Sequence, residues 1–370
     1  MQTLWNISMS LLSWRTNRHS LRSSFLGGLV LLVFLVLATP SAAIVYVDKD
    51  RPGGNGTSWA QAYKTLDAAI SNTYTPAEFW IAEGTYTPSA PLVLGLNQNH
   101  SFYGGFAGTE TARSQRNITK YPTIVDGQGV LKHVFNVTSW VTSVRFDGLT
   151  IKRGAATAAS GADASGGGIV VNKGTVVIAS CTFSDNKATH IGGAVYLVNN
   201  PSITVTGSTF KNNKSLSGSG GGAGLAMIWD QTGAQPAATV EKCIFQGNTG
   251  GSVGGGLYSI YFPVTVREST FIANSSANGG AIMLDYKLPG ADRIERCLFS
   301  GNTATGRGGA ICSFARSMVI EKSAFAYNAT VADLSIPFGV TNIARSACYC
   351  CTNLMSITTP NRATNASLRV

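Results

Sequence analysis

The stretch Val240-Glu241-Lys242-Cys243-Ile244-Phe245-Gln246-Gly247-Asn248-Thr249-Gly250-Gly251-Ser252-Val253-Gly254-Gly255-Gly256-Leu257 carries two signatures: an aromatic three residues before an Asn, and a glycine pair followed by a small residue and an aliphatic. Both recur. Phe-x-x-Asn units run from Phe183 to Asn186, Phe210 to Asn213, Phe245 to Asn248, Phe271 to Asn274, Phe299 to Asn302 and Phe325 to Asn328, at spacings of 27, 35, 26, 28 and 26. Glycine elements open at Gly166, Gly192, Gly254, Gly279 and Gly308, with a looser Gly222-Ala223-Gly224-Leu225 between them. Two unrelated motifs that hold phase over six units define a repeat protein.

Aligned on its Phe, each unit places Ile178, Val205, Val240, Val266, Ile294 or Ile320 five residues earlier. Cys181, Ser208, Cys243, Ser269, Cys297 and Ser323 stand two residues earlier. Strand side chains alternate faces with period two, so an inward set separated by a step of three requires a bend between two short strands. A degenerate seventh unit fits upstream, with Val144, Phe146, Leu149 and Ile151 in the same slots and Gly154 in place of the Asn. The expected fold is all-β: a parallel β-solenoid with coils ~4.8 Å apart, its interior filled by columns of Ile, Val and Phe. Asn is expected at the sharp turn because it tolerates the left-handed conformation, stacked in a column that can hydrogen-bond from coil to coil, and the paired glycines at the next corner. Truncating Phe245 is expected to cost ~3–5 kcal/mol, and Asn248→Ala ~1–3 kcal/mol.

The rest of the chain is read around this core. Residues 1–43 form a signal peptide, with Arg15, Arg18 and Arg22 before the apolar run Phe25 to Ala38 and the small residues Ser41, Ala42 and Ala43. That run falls short of the ~20 residues of a membrane span, and no integral membrane domain is expected in the mature chain. Residues 44–143 hold an N-terminal cap and the first irregular coils. Within them Phe79-Trp80-Ile81, Ser101-Phe102-Tyr103, Thr123-Ile124-Val125 and His133-Val134-Phe135 read as strands, and Ser58 to Ile70 as one amphipathic capping helix capped by Ser58. Regular repeats occupy residues 144–330, and an irregular tail residues 331–370.

Composition excludes several classes. With 12% charged and 44% apolar residues the chain is not disordered, and 42 glycines without a three-residue period exclude collagen. Three of the net +10 charges belong to the leader, and no dense Lys/Arg run marks a nucleic-acid partner.

The repeats identify a resemblance. Phe-x-x-Asn and Gly-Gly-Ala-Ile units resemble those of right-handed parallel β-helix proteins with polymorphic-outer-membrane-protein repeats. Tyr46-Val47-Asp48, Gly56-Thr57-Ser58-Trp59, Ala82-Glu83-Gly84-Thr85-Tyr86 and Tyr103-Gly104-Gly105-Phe106-Ala107-Gly108-Thr109-Glu110 resemble the opening block of secreted bacterial β-helix proteins. The resemblance, over residues 44 to 328, implies a pectate-lyase-like superhelix, secretion or surface display, and adhesion. Autotransporter members end in an outer-membrane β-barrel, which the last 40 residues are not expected to build.

Cys181, Cys243 and Cys297 share one column at two-coil intervals, ~9.6 Å apart, beyond the ~7 Å a disulfide spans, so they are expected as buried free thiols. Cys348, Cys350 and Cys351 are the candidates for a disulfide. Glu241, Lys242, Arg267, Glu268, Glu295, Arg296, Glu321 and Lys322 read as a solvated charge ladder, the alternative being a catalytic cluster. Asp292 in an apolar slot reads as a distorted coil, and His190 as a surface turn residue. Asn117, Asn136 and Asn274 open glycosylation sequons, Asn274 being claimed by the turn column. No catalytic, cofactor or metal residue is assigned. The expected function is a secreted, non-enzymatic adhesin or carbohydrate-binding surface. The alternatives are a polysaccharide lyase or hydrolase and a piece of a longer surface protein.

Overall fold

The computed structural model describes residues 42–329 apart from 217–219, 234, 286–291 and 315–317, together with strand segments at 334–335, 340–344, 346–349 and 368–369. The signal-peptide reading of residues 1–43 lies almost wholly outside the described residues, as do the side chains of Cys348, Cys350 and Cys351. Three parallel sheets of 11, 11 and 9 strands run the length of the chain, each joining a strand to its counterpart one coil later. In the central coil these strands are Ala237–Glu241, Ile244–Gln246 and Leu257–Ile260. This is a right-handed parallel β-helix. Among the described residues no helix is long and apolar enough to cross a membrane.

The register columns explain why the period exists. Ile178, Val205, Val240, Val266, Ile294 and Ile320 pair in sequence on the first sheet and are fully buried. On the second sheet Phe183, Phe210, Phe245, Phe271, Phe299 and Phe325 stack ring on ring with centroids 5.0, 4.6, 4.6, 5.0 and 4.8 Å apart, interplanar angles of 1 to 9°. The coil repeat sets that distance, so it fits the strand spacing. A ring substituted by a smaller group leaves two neighbours without a face.

Both bends differ in detail from the turn chemistry expected. The residue preceding each Asn, not the Asn, takes the left-handed conformation: Asp185, Asn212, Gly247, Ala273, Gly301 and Tyr327, with φ of 52 to 64°. The bend between the two short strands uses a second such position, at Ser180, Gly207, Lys242, Glu268, Arg296 and Lys322, with φ of 49 to 55°. The Asn side chains instead fill the corner from within. Asn248 Nδ2 donates to the Phe210 carbonyl and to Asn274 Oδ1, both at 2.9 Å, while its Oδ1 accepts from the Asn213 backbone N–H and Nδ2 at 3.1 and 2.9 Å. The pattern repeats from Asn186 to Asn328, and Gly154, in the seventh unit, donates its N–H to Asn186 Oδ1. The glycine pair divides its work. Gly279 has φ +66°, whereas a Cβ on Gly280 would stand 2.2 Å from the Gly309 carbonyl of the next coil.

The alternation of Cys and Ser has a local cause. Ser208 and Ser269 hydroxyls, like the Cys181 and Cys243 thiols, donate to the carbonyl two residues back, satisfying the bend. Each Ser Oγ also accepts the N–H of the Cys one coil earlier, at 3.1 Å. Cys181, Cys243 and Cys297 are free thiols and buried, and Cys312 is buried as well.

The extent of the N-terminal helix is corrected. Ser58 to Ile70 is not one helix: a short turn Trp59–Gln61, capped by Ser58, and a six-residue helix Leu66–Ser71, capped by Thr65, flank an extended Tyr63. Tyr63 pairs with the outermost strand Ala43–Val47, its N–H donating to the Tyr46 carbonyl, because an exposed strand edge costs more than an interrupted helix gains. Within residues 44–143, Ala43–Val47, Ala77–Ala82 and Ser101–Phe106 belong to the first sheet, with a register shift between Trp80 and Ala82; the strand read at His133 begins at Phe135. In the tail, Val340–Ala344 and Ser346–Tyr349 extend the first and second sheets past Asn328.

Candidate functional site

The charged column read from the sequence forms on the outer face of the first sheet. Glu241, Arg267, Glu295 and Glu321 occupy one register position on successive strands, with Lys242, Glu268, Arg296 and Lys322 beside them at the left-handed bend. Arg267 lies 3.7 Å from Glu241, Lys242 3.9 Å from Glu268, and Arg296 2.9 Å from Glu268 and 2.5 Å from Glu295. Arg293, which the sequence reading passed over, lies 3.4 Å from Glu321. Interlocked exposed pairs of this kind contribute ~0.2–1 kcal/mol each; they stiffen a face and leave its carboxylates occupied.

Asp292 is a different case. The strand Asp292–Glu295 pairs with Met318–Glu321 of the next coil, and the 287–291 loop beside which a distortion is expected lies outside the described residues. The carboxyl sits buried in an apolar column, accepts the Val264 N–H at 3.0 Å, and burial pushes its pKa up to about 7. His100 occupies the same column near the other end, its ring 4.8 Å from Phe79, and burial pushes its pKa down to about 4. Burial likewise raises the Cys181 and Cys243 thiols to about 12 and Cys297 to about 11. His190 is half-buried in its turn. Asn274 is fully buried in the ladder, whereas Asn117 is exposed and Asn136 half-buried.

The sequence reading named no site in the first three coils, and the structure assembles one there. Tyr46, Trp80 and Tyr103 share an outward register position on adjacent strands, with Asp147 next in the column. Glu78, Ser101 and Arg145 form the neighbouring column. A loop after Phe106 folds back over this face, held by Glu110, whose carboxylate accepts the N–H groups of Ala107, Gly108 and Thr109. It delivers Arg113 and Arg116 onto Tyr103, guanidinium carbons 4.6 and 5.3 Å from the ring centroid, with Arg145 at 5.8 Å. Arg113 Nη1 donates to Glu78 at 2.6 Å and to the Tyr103 hydroxyl at 2.9 Å. The buried Asp147 carboxylate is shared by Arg116 and Arg145. Glu78, Arg113, Ser114 and Arg116 line an open cleft of about 570 Å³.

Three large apolar side chains are exposed just upstream of the strands that carry this face. Tyr74, Leu96 and Trp140 stand in the loops leading into three successive first-sheet strands and are 72%, 66% and 67% exposed. The signal that would have found both features is the outward half of each strand, which requires the register of coils that lack the Phe-x-x-Asn marker. Among the described residues no group of three or more His, Cys, Asp or Glu gathers as a metal site.

The fold defines a parallel β-helix protein, and the comparisons name its family. The family model of the right handed beta helix region matches residues 97–287, just over half of the 370-residue chain, and the chain belongs to that family. The Chlamydia polymorphic membrane protein repeat matches residues 296–313, which include the Phe299 to Asn302 unit and the Gly308 element. No curated protein matches the chain by sequence. Among solved structures it is similar to the pectin methylesterase from Aspergillus niger, at 13% identity and a TM-score of 0.38, covering 88% of this chain and 93% of that one.

Proposed function

We propose that the chain is a secreted or surface-displayed, non-enzymatic β-helix that binds glycan on the outer face of its N-terminal coils. The observation that carries this reading is the run of solvent-exposed Tyr74, Leu96 and Trp140 on successive coils. Aromatic faces held open by a rigid scaffold stack on the apolar faces of sugar rings, and contiguous exposed apolar groups mark interaction surfaces. The basic and then apolar leader and the polymorphic membrane protein repeat support export to the cell surface. The ion-paired ladder supports a presenting role for the C-terminal coils.

The test is retention of the chain on immobilised cell-wall and matrix polysaccharides, run beside an assay for product released from the same polymers. Retention that a Tyr74→Ala, Trp140→Ala double variant loses, without product, is the expected result. Product release that depends on Arg267 or Glu295 would overturn it in favour of a polysaccharide lyase or hydrolase. Failure to bind any polymer would also refute it.

A further inference from the structure

The arginine cleft has more cationic capacity than its protein partners use. Arg113, Arg116 and Arg145 surround Tyr103, and the carboxylates they contact are Glu78 and Asp147, which leaves one positive charge unbalanced. Asp147 is committed, being buried between two guanidiniums. Arg113 is not. Its side chain is 46% exposed, and both of its hydrogen bonds leave from Nη1, so among the described residues the Nε and Nη2 edge of its fork makes none.

We propose that this cleft is a subsite for an oxyanion carried on a saccharide, read by the Arg113 fork with Arg116 beside it. A guanidinium presents parallel N–H groups that match a carboxylate or sulfate in a bidentate pair. The Tyr103 ring beneath Arg113, together with the hydroxyl bond at 2.9 Å, fixes the plane of that fork before a ligand arrives. The cleft of about 570 Å³ falls within the ~300–1,000 Å³ typical of small-ligand sites. Glu78 has two roles. It aims Arg113 by holding Nη1, and its negative charge beside the fork weakens the pull on an incoming anion. The loop bearing Tyr74 leads directly into the strand that carries Glu78, so a sugar stacked on Tyr74 would bring its charged substituent toward the cleft. The carrier of the oxyanion, though not the oxyanion site, rests on the glycan reading above.

The experiment titrates the whole chain with alginate, dextran sulfate and uncharged dextran, and separately with glucuronate and inorganic sulfate, following intrinsic tryptophan fluorescence. At least one charged polymer should bind about tenfold or more tighter than dextran, the value of one charge-assisted pair. Arg113→Gln should erase that margin, Arg113→Lys should restore only part of it, and Glu78→Gln should widen it. Urea midpoints of all three variants report whether they fold as the parent does. A margin unchanged in Arg113→Gln, or reduced in Glu78→Gln with folding intact, overturns the proposal. Dextran binding that needs Trp140 but shows no charge margin sinks the oxyanion subsite and leaves the glycan reading standing. Glucuronate or sulfate binding that needs Arg113 while no polymer is retained does the reverse.

Discussion

Asn248→Ala tests the corner ladder at its centre. The side chain is fully buried and makes four hydrogen bonds, two as donor and two as acceptor. Alanine strips the Asn213 backbone N–H of its acceptor, takes a donor from the Phe210 carbonyl, and frees one hydrogen of the Asn213 amide. The orphaned buried N–H costs ~1–3 kcal/mol and each of the three other lost bonds, the one to Asn274 Oδ1 included, ~1 kcal/mol, so the substitution should cost about 4–6 kcal/mol. That exceeds the ~1–3 kcal/mol expected from the sequence, which shows the stacked Asn column but not the number of bonds each side chain makes in it. Asn248→Asp separates the two causes. Its oxygens can still accept from Asn213, but at neutral pH they face the Phe210 carbonyl and Asn274 Oδ1 with no proton to share, so it should be worse than alanine and recover as acid protonates it. Urea unfolding followed by circular dichroism gives the stabilities, and hydrogen exchange at the Asn213 amide gives the local effect. If Asn248→Ala lies within ~1 kcal/mol of the parent and that amide stays protected, the ladder does not stabilise the corner.

Burial raises the folded pKa of Asp292 to about 7 from 3.8, so the parent should lose stability as pH rises between those values. Asn in its place should flatten that slope and gain up to about 4 kcal/mol above pH 7, read from urea midpoints across the range. His100 has the opposite sign, its folded pKa lowered to about 4 from 6.5: stability is whole above 6.5 and drains as acid approaches 4, and His100→Phe should remove that acid limb. Cys243→Ser should cost little, under ~1.5 kcal/mol, because Ser208 and Ser269 already make the same bond two residues back. Native Cys181, Cys243 and Cys297 should ignore a thiol reagent until the chain unfolds, and a fast-reacting thiol among them would contradict their burial.

The inward half of the fold was legible because its physics is one-dimensional. Each coil must offer the same volume to the coil above, so Val240 must be followed 26 residues later by something like Val266, and Phe245 by a ring like that of Phe271. Sequence records such columns directly. The left-handed positions were not legible, since Asp185, Asn212, Gly247, Ala273, Gly301 and Tyr327 share a conformation and no chemistry. There the buried Asn ladder beside the bend and the coil above dictate the backbone, and the residue complies. Asp292 stands out in the sequence as an anomaly of the column, but only its burial shows what the anomaly does to its titration.

The outward half escaped for a reason that also bears on function. Between Ala77–Ala82 and Ser101–Phe106 the register shifts at a bulge between Trp80 and Ala82, and without the Phe-x-x-Asn marker nothing in the sequence says that Tyr46, Trp80 and Tyr103 form one column. Arg113 and Arg116 are further removed, because they arrive from a loop whose path is set by Glu110 and not by the coil period. A solenoid coil that must match both neighbours on its inner face is free on its outer one. In the regular coils that freedom is taken up by paired charges, Glu241 to Arg267 and Glu268 to Arg296. In the first coils it is taken up by aromatics, three guanidiniums and a covering loop, which bend the register and add buried polar bonds. Repetition would have been the simpler way to stabilise those coils, and the proposed ligand site rests on the departure from it.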